Sequence, residues 1–133
     1  MEMEITFPGG ARVDANFSNL TVKTVQPVHG GGSGSAPTPL PTFLASIGAC
    51  AGIYVLGFCK QRGLPTDGIK IIQRMQSDPA TGLVGKVSLD IQLPPSFPDR
   101  YKSAVVKSAE QCAVKKHFEH PPAFEITTSA VGM

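Results

Sequence analysis

The longest apolar stretch limits what this chain can fold into more than any other feature does. Residues 43–58 read FLASIGACAGIYVLGF, and among them only Ser46 and Tyr54 carry polar side chains. These 16 residues fall short of the roughly 20 that a bilayer-crossing helix needs. A helix that is apolar all round must instead be buried, either between sheets or between subunits. Gly63, followed by Pro65, marks the expected end of this helix.

The segments on either side of this helix show the alternation of apolar and polar residues that is typical of half-buried strands. Before the helix, three short alternating runs separated by turn residues predict an antiparallel meander with one buried face. After the helix we expect two more strands, a pair of helices and a last strand. The sequence therefore predicts an α+β fold, with antiparallel sheets around a long buried central helix, in a single domain over residues 1–133. The apolar positions of the predicted strands are Met3, Ile5, Phe7, Val13, Ala15, Phe17, Leu20 and Val22, then Ile69, Ile71, Met75, Val87, Leu89, Ile91 and Leu93, and finally the segment 124–128.

The predicted helix pair begins near residue 98. Tyr101, Val105, Ala109 and Cys112 recur every three or four residues, so they share one face of the first helix. Cys112 ends that helix and begins the second, which reads CAVKKHFE.

A glycine-rich segment connects the meander to the long helix. Residues 28–41 read VHGGGSGSAPTPLP, without the Gly-Lys-Ser/Thr ending that a phosphate-binding loop requires. We interpret this segment as a flexible connection whose prolines start the helix.

The charge and the cysteine count exclude several classes of function. The net charge is +2 and the basic residues are dispersed, which argues against nucleic acid and against a membrane surface as partners. Three cysteines and an N-terminus with no basic region and no apolar run argue against a secreted disulfide scaffold and for the reducing cytoplasm. Because only 17% of the residues are charged, we expect an oligomer that covers apolar surface.

Two of the three cysteines are candidates for thiol chemistry. Cys50 lies mid-helix among alanines and glycines, which leave room for a substrate or another segment to reach its sulfur. Burial alone raises the pKa of a thiol, so a reactive Cys50 needs a nearby cation or hydrogen-bond donor. Arg12 is the candidate cation, and a solvated arginine at a strand edge is the alternative interpretation. Cys112 lies at a helix start, where amide donors are expected to lower its pKa.

The remaining cysteine and two histidines have more ordinary interpretations. Cys59 faces away from Cys50 in helical projection, and we interpret it as an inert buried side chain. Cys112, His117 and His120 could hold a metal, but their spacing fits no standard zinc pattern, so we expect no metal. His117 could give a proton to a thiol, although a surface histidine is the commoner case.

Two cysteine contexts together resemble the OsmC/Ohr family. Residues 36–50 read APTPLPTFLASIGAC, and the second cysteine follows 62 residues later within EQCAVKK at residues 110–116. The family has a proline-led buried helix that carries a cysteine after small residues, and a second cysteine between two later helices. The predicted order of strands and helices also matches, so the resemblance covers nearly the whole chain.

The resemblance implies an intertwined homodimer with two active sites at the subunit interface. It implies reduction of organic hydroperoxides, with Cys50 as the peroxidatic residue, Cys112 as the resolving residue and an external dithiol as reductant. Neither a metal nor an organic cofactor is implied. Arg12 would be the activating cation.

One position departs from the peroxidase branches of that family. They carry a glutamate ten residues before the first cysteine, where it orients the activating arginine, and this chain has Leu40 there. The chain therefore looks more like an OsmC-like branch that lacks the glutamate. Two other hypotheses stay open: a non-catalytic dimer that binds a small apolar ligand or senses redox state, and a structural dimer with inert cysteines.

Overall fold

The computed structural model describes residues 1–132 and has the predicted α+β architecture with antiparallel sheets and one long helix. Contacts group the chain into two compact units, the first ending at Ala49 and the second beginning at Cys50. That the chain is a single domain stays a prediction. The elements are β1 (Glu4–Gly9), β2 (Arg12–Phe17), β3 (Leu20–Val25), α1 (Pro39–Gln61), β4 (Lys70–Ser77), β5 (Val84–Gln92), α2 (Lys102–Ala109) and α3 (Ala113–Glu119).

The first unit contains the predicted meander, with strand order β1-β2-β3 and antiparallel pairing throughout. Phe17 pairs with Leu20 across a two-residue turn. In that turn Ser18 and Asn19 have φ of 48° and 60°. Two successive positive φ values are what a tight hairpin turn requires, because they match the twist of the flanking strands.

The apolar face of this meander is exposed in the single chain. Ile5, Phe7 and Leu20 are 53%, 80% and 61% exposed, so the prediction that this face is buried is wrong for the chain alone. The two buried residues of the sheet, Asp14 and Val25, lie on the opposite face. Alternation tells which side chains share a face, but it does not tell what covers them.

The glycine-rich connection contains a hydrogen-bonded turn, and its prolines start α1 as predicted, whereas its flexibility stays a prediction. A 3-10 turn at Val28–Gly30 follows Pro27, whose carbonyl accepts from the N–H groups of Gly30 and Gly32, each at 2.9 Å. A Cβ at Gly32 would overlap the carbonyl oxygen of Gln26. Only glycine fits there.

Helix α1 starts at Pro39 and ends where Gly63 predicts. Prolines are tolerated in a first turn because the N–H that they lack has no helical partner there. At the other end Leu64 N–H donates to Cys59 O at 2.9 Å and Gly63 N–H to Lys60 O at 3.3 Å, with Gly63 at φ 64°. These two hydrogen bonds close the helix around Gly63, whose backbone is in the left-handed conformation.

Helix α1 is longer than the apolar run that predicted it, and it is less buried in the single chain than predicted. The helix has 23 residues and is long and apolar enough to cross a membrane, a test that the core helix of a soluble protein also passes. In the single chain Ala51 and Val55 are buried, whereas Ile53 is 66% exposed and Phe43 is 46% exposed. Burial of α1 on all sides by a second subunit stays a prediction.

The core of the second unit lies between α1 and the elements that follow it. Val55, Phe58 and Cys59 of α1 pack with Phe97 and Val105, each at most 6% exposed. The hairpin β4–β5, with Ile71 opposite Ile91, packs against this cluster together with other partly buried residues. Each fully buried Val or Phe side chain contributes about 1.5–3 kcal/mol of transfer free energy. This core fixes α2, and with it the position of the segment that carries Cys112.

The predicted last strand does not form. Residues 121–132 have no regular secondary structure, and Phe124 and Ile126 are 88% and 95% exposed. A strand needs a neighbouring edge that offers free N–H and C=O groups. The alternation at 124–128 shows a capacity for pairing, but within residues 1–132 no strand pairs with it.

Candidate active site

The second unit brings Cys50 and Cys112 into hydrogen-bond contact. Cys50 lies in α1, and Cys112 is the N-cap residue of α3. The two thiols are 62 residues apart in sequence, and the contact between them contributes to the pKa of each. The structure therefore brings together the two cysteines that the sequence singled out.

Two contacts, one near each end of α2, join it to α1 and position Cys112. Tyr101, at the start of α2, packs edge-on against Phe58 with ring centroids 5.8 Å apart. Near the C-terminal end of α2, Ser108 Oγ donates to Tyr54 O at 3.3 Å. The chain then turns, with Cys112 N–H donating to Ala109 O at 3.2 Å. Later residues of α2 therefore contact earlier residues of α1, so the chain after α2 lies near Cys50.

The surroundings of Cys50 lower the pKa of its thiol. The backbone N–H of Val114 is the main cause, followed by the side chain of Cys112, and the backbone of Ala113 adds a smaller effect in the same direction. Burial opposes these donors, but Cys50 is only partly buried. Hydrogen bonds to a charged form favour that form. The donor that sequence reasoning required for a reactive Cys50 is thus present, and it comes from the start of α3.

The pKa of Cys112 is raised, which contradicts the prediction that the helix start lowers it. Burial is the main cause, since Cys112 is 2% exposed, and the hydrogen bond with Cys50 acts in the same direction. The N–H groups of Lys115 and Val114 lower the pKa of Cys112 but do not outweigh burial. The prediction failed because it did not include the burial of Cys112, which outweighs the amide donors at the helix start.

Arg12 lies in the first unit and is held by a carboxylate that sequence reasoning missed. Its Nη2 donates to Asp14 Oδ2 at 2.9 Å. Asp14 is 6% exposed, and its Oδ1 has no hydrogen-bond partner among residues 1–132. The spacing i, i+2 on a strand puts both side chains on one face, which is the signal that could have found the pair. That Arg12 activates Cys50 stays a prediction.

The other candidate residues lie outside this thiol pair. Cys59 is fully buried in the core, and burial raises the pKa of its thiol, in keeping with an inert side chain. His117 Nδ1 lies 2.6 Å from Ala113 O within its own helix. Within the described part of the chain, residues 1–132, no three His, Cys, Asp or Glu side chains are grouped so as to hold a metal.

A profile of OsmC-like proteins matches residues 31–127, a span that contains Cys50, Cys112 and the helices α1, α2 and α3. The chain belongs to the OsmC-like protein family. No curated protein matches this OsmC-like protein.

Solved structures of related proteins share its fold. A protein from Psychrobacter arcticus, described as an osmotic stress induced and detoxification response protein, has a TM-score of 0.66 at 23% identity, with 86% of this chain and 85% of that one covered. An OsmC-like protein of unknown function from Vibrio cholerae has a TM-score of 0.62 at 10% identity, covering 86% and 90%. An organic hydroperoxide resistance protein from Legionella pneumophila has a TM-score of 0.51 at 18% identity, covering 89% of each chain. At these identities the likeness establishes the fold of this OsmC-like protein.

Proposed function

We propose that this OsmC-like protein reduces organic hydroperoxides through a Cys50–Cys112 redox pair. The observation that supports this most is the contact between the two thiols, in which the pKa of Cys50 is lowered while that of Cys112 is raised. A thiolate is the nucleophile in thiol chemistry, so Cys50 is the attacking residue. The names of solved structures with this fold include organic hydroperoxide resistance proteins, which supports this class of substrate.

The proposed cycle balances with the two thiols and one external dithiol. The Cys50 thiolate attacks one oxygen of the hydroperoxide, the O–O bond breaks, and the alkoxide takes a proton and leaves as an alcohol. Cys50 becomes a sulfenic acid. Cys112 then attacks the oxidised sulfur, loses its proton and displaces water, and a Cys50–Cys112 disulfide forms. A dithiol reduces this disulfide by exchange and restores both thiols.

The raised pKa of Cys112 suits the resolving role. As a neutral thiol, Cys112 donates a hydrogen bond to the Cys50 thiolate and so stabilises the attacking anion. Two adjacent thiolates would repel each other, and the opposed pKa shifts avoid that state. The same contact keeps Cys112 next to the sulfur that it must attack once Cys50 is oxidised.

We further propose that Asp14 takes the place of the glutamate that is missing at position 40, and that its carboxylate orients Arg12. An arginine that serves as an activating cation needs a partner that fixes the plane of its guanidinium, and a carboxylate does this well. Asp14 binds Arg12 at 2.9 Å and is itself buried. The remaining N–H groups of Arg12 then have a defined direction in which to donate.

The proposed setting is a homodimer in the reducing cytoplasm. The exposed apolar side chains of the meander and of α1 support a second copy as their cover, since large exposed apolar patches mark interaction surfaces. Free thiols at Cys50, Cys59 and Cys112 fit a reducing compartment.

Peroxide consumption by cysteine variants tests the proposal. We expect Cys50→Ser to abolish consumption of cumene hydroperoxide in the presence of dithiothreitol, and Cys112→Ser to complete one turnover and then stall. Cys59→Ala is the matched control and should keep the activity. A Cys50→Ser protein with undiminished activity contradicts the mechanism.

A non-catalytic binding or redox-sensing dimer is the second candidate function. Leu40, at 58% exposure in the first turn of α1, favours it because the usual glutamate is missing from that position. The same assay separates the two candidates, since a binding protein consumes no peroxide.

A further inference from the structure

The imidazole of His117 is hydrogen-bonded to the backbone of its own helix, α3. Its Nδ1 atom lies 2.6 Å from Ala113 O. A carbonyl oxygen can only accept a hydrogen bond, so Nδ1 carries a hydrogen and is the donor. That hydrogen is therefore directed at the backbone of α3 and not at a thiol.

The carbonyl group that His117 contacts belongs to a peptide that faces Cys50. Ala113 O and the N–H of Val114 are the two ends of one planar amide. The N–H end is the main cause of the lowered pKa of Cys50. A chain of two hydrogen bonds thus runs from the imidazole, through this amide, to the sulfur of Cys50.

The preceding peptide has the same arrangement, with a backbone donor in place of the imidazole. Lys116 N–H donates to Cys112 O at 3.2 Å. The N–H at the other end of that amide, which belongs to Ala113, is a smaller influence on Cys50. Both amides that face Cys50 are therefore hydrogen-bonded at their carbonyl oxygens. Only the donor from His117 is a side chain, so it can be removed by substitution.

We propose that His117 is a positioning residue for Cys50 and acts through the peptide between Ala113 and Val114. A hydrogen bond at the carbonyl oxygen polarises the amide and strengthens the bond that its N–H donates, by about 10–30%. It also fixes the plane of the peptide, so that the N–H keeps its direction toward the sulfur. This role rests on the proposed function, because it affects turnover only where Cys50 is the attacking thiol.

The pH dependence of Cys50 alkylation by iodoacetamide tests this proposal in His117→Leu and His117→Asn, each on a Cys59→Ala background. His117→Leu removes the donor and keeps a good helix former, so the midpoint of the reaction should move to higher pH. At about one pH unit below the wild-type midpoint, the rate relative to its high-pH plateau should fall about twofold. His117→Asn should keep the wild-type midpoint, because its amide Nδ2–H takes the place of the imidazole Nδ1–H.

His120→Asn is the control, because His120 is the C-cap residue of the same helix and lies beyond the two peptides that face Cys50. It should leave the midpoint unchanged. Since His117 is exposed, all three variants should retain the circular dichroism spectrum of the wild type.

An unchanged midpoint for His117→Leu would overturn the proposal, as would equal shifts for His117→Leu and His117→Asn. Failure of the proposed function would be seen separately, as a wild-type protein that consumes no cumene hydroperoxide. Alkylation needs no peroxide, so it reports on His117 and Cys50 in either case.

Discussion

Cys50 and Cys112 share a hydrogen-bond contact, yet the pKa values of their thiols are displaced in opposite directions. Cys50 is partly exposed and accepts from backbone N–H groups of α3, whereas Cys112 is buried and its thiol is disfavoured as an anion by the desolvation of charge. When the pair loses one proton, the negative charge is therefore favoured on Cys50, the more accessible of the two.

The first prediction concerns the pH dependence of alkylation. A lowered pKa gives a larger thiolate fraction at any pH below the ordinary range, so the iodoacetamide reaction of Cys50 should reach half its maximal rate at a lower pH than that of an ordinary thiol. Cys112, whose pKa is raised, should reach its half-maximal rate at a higher pH than an ordinary thiol. Peptide mapping by mass spectrometry on a Cys59→Ala background would separate the two, and a midpoint for Cys112 below that of Cys50 would contradict the assignment of the nucleophile.

The second prediction concerns the pair Arg12–Asp14. Asp14→Asn keeps the size of the side chain but removes its charge, so Arg12 loses its fixed orientation. We expect kcat/KM for cumene hydroperoxide to fall about tenfold, the equivalent of one charge-assisted hydrogen bond. The alkylation midpoint of Cys50 should rise at the same time, a change that a merely structural role of Asp14 would not produce.

Asp67→Asn is the control for this second prediction, because Asp67 is exposed and lies in a turn. It should leave both readouts unchanged. An Asp14→Asn protein with the kcat/KM and the alkylation midpoint of the wild type would show that Asp14 does not position Arg12 for catalysis.

The third prediction concerns the core that holds α2 in place. Val105 is fully buried, and Val105→Ala should lower the free energy of unfolding by about 2 kcal/mol through lost transfer energy and a cavity. Val106, the next residue, is 46% exposed, so Val106→Ala should change it by about 0.5 kcal/mol at most. Urea denaturation measures both, and equal effects would contradict the described packing of α2.

The fourth prediction concerns the glycine-rich turn before α1. Gly32→Ala forces the turn away from the Gln26 carbonyl, and we expect a loss of about 1–3 kcal/mol in the free energy of unfolding. Gly57→Ala is the matched comparison: it adds a methyl group in open space on a helix and should stabilise the protein by about 0.5–1 kcal/mol. A Gly32→Ala protein as stable as the wild type in thermal melts would mean that the turn adapts without cost.

Local patterns predicted the elements well where they carry their own physical reason. The alternation at Val87, Leu89 and Ile91 predicts β5 because those side chains share one face of the strand, and Ile91 on that face packs against the core. Gly63 predicts the end of α1 because the left-handed cap has little cost for glycine alone. Both signals are complete within a few residues, so the sequence suffices to interpret them.

The features that the sequence could not predict depend on contacts between distant segments. The segment 124–128 alternates like a strand, but pairing requires an edge that lies elsewhere. The pKa of Cys112 depends on burial beneath other elements, and that of Cys50 on Val114, which is 64 residues away in sequence. The pair Arg12–Asp14 is different, because its i, i+2 spacing is visible in the sequence and only the burial of Asp14 is not.

Intact mass and free-thiol counting before and after one equivalent of cumene hydroperoxide test the central claim most directly. The account predicts that two of the three thiols disappear and that the mass falls by about 2 Da, the loss of two hydrogens on forming a disulfide. Peptide mapping should then place the new disulfide between Cys50 and Cys112. Three unchanged thiols at unchanged mass would contradict the account and leave the binding dimer as the better description of this protein.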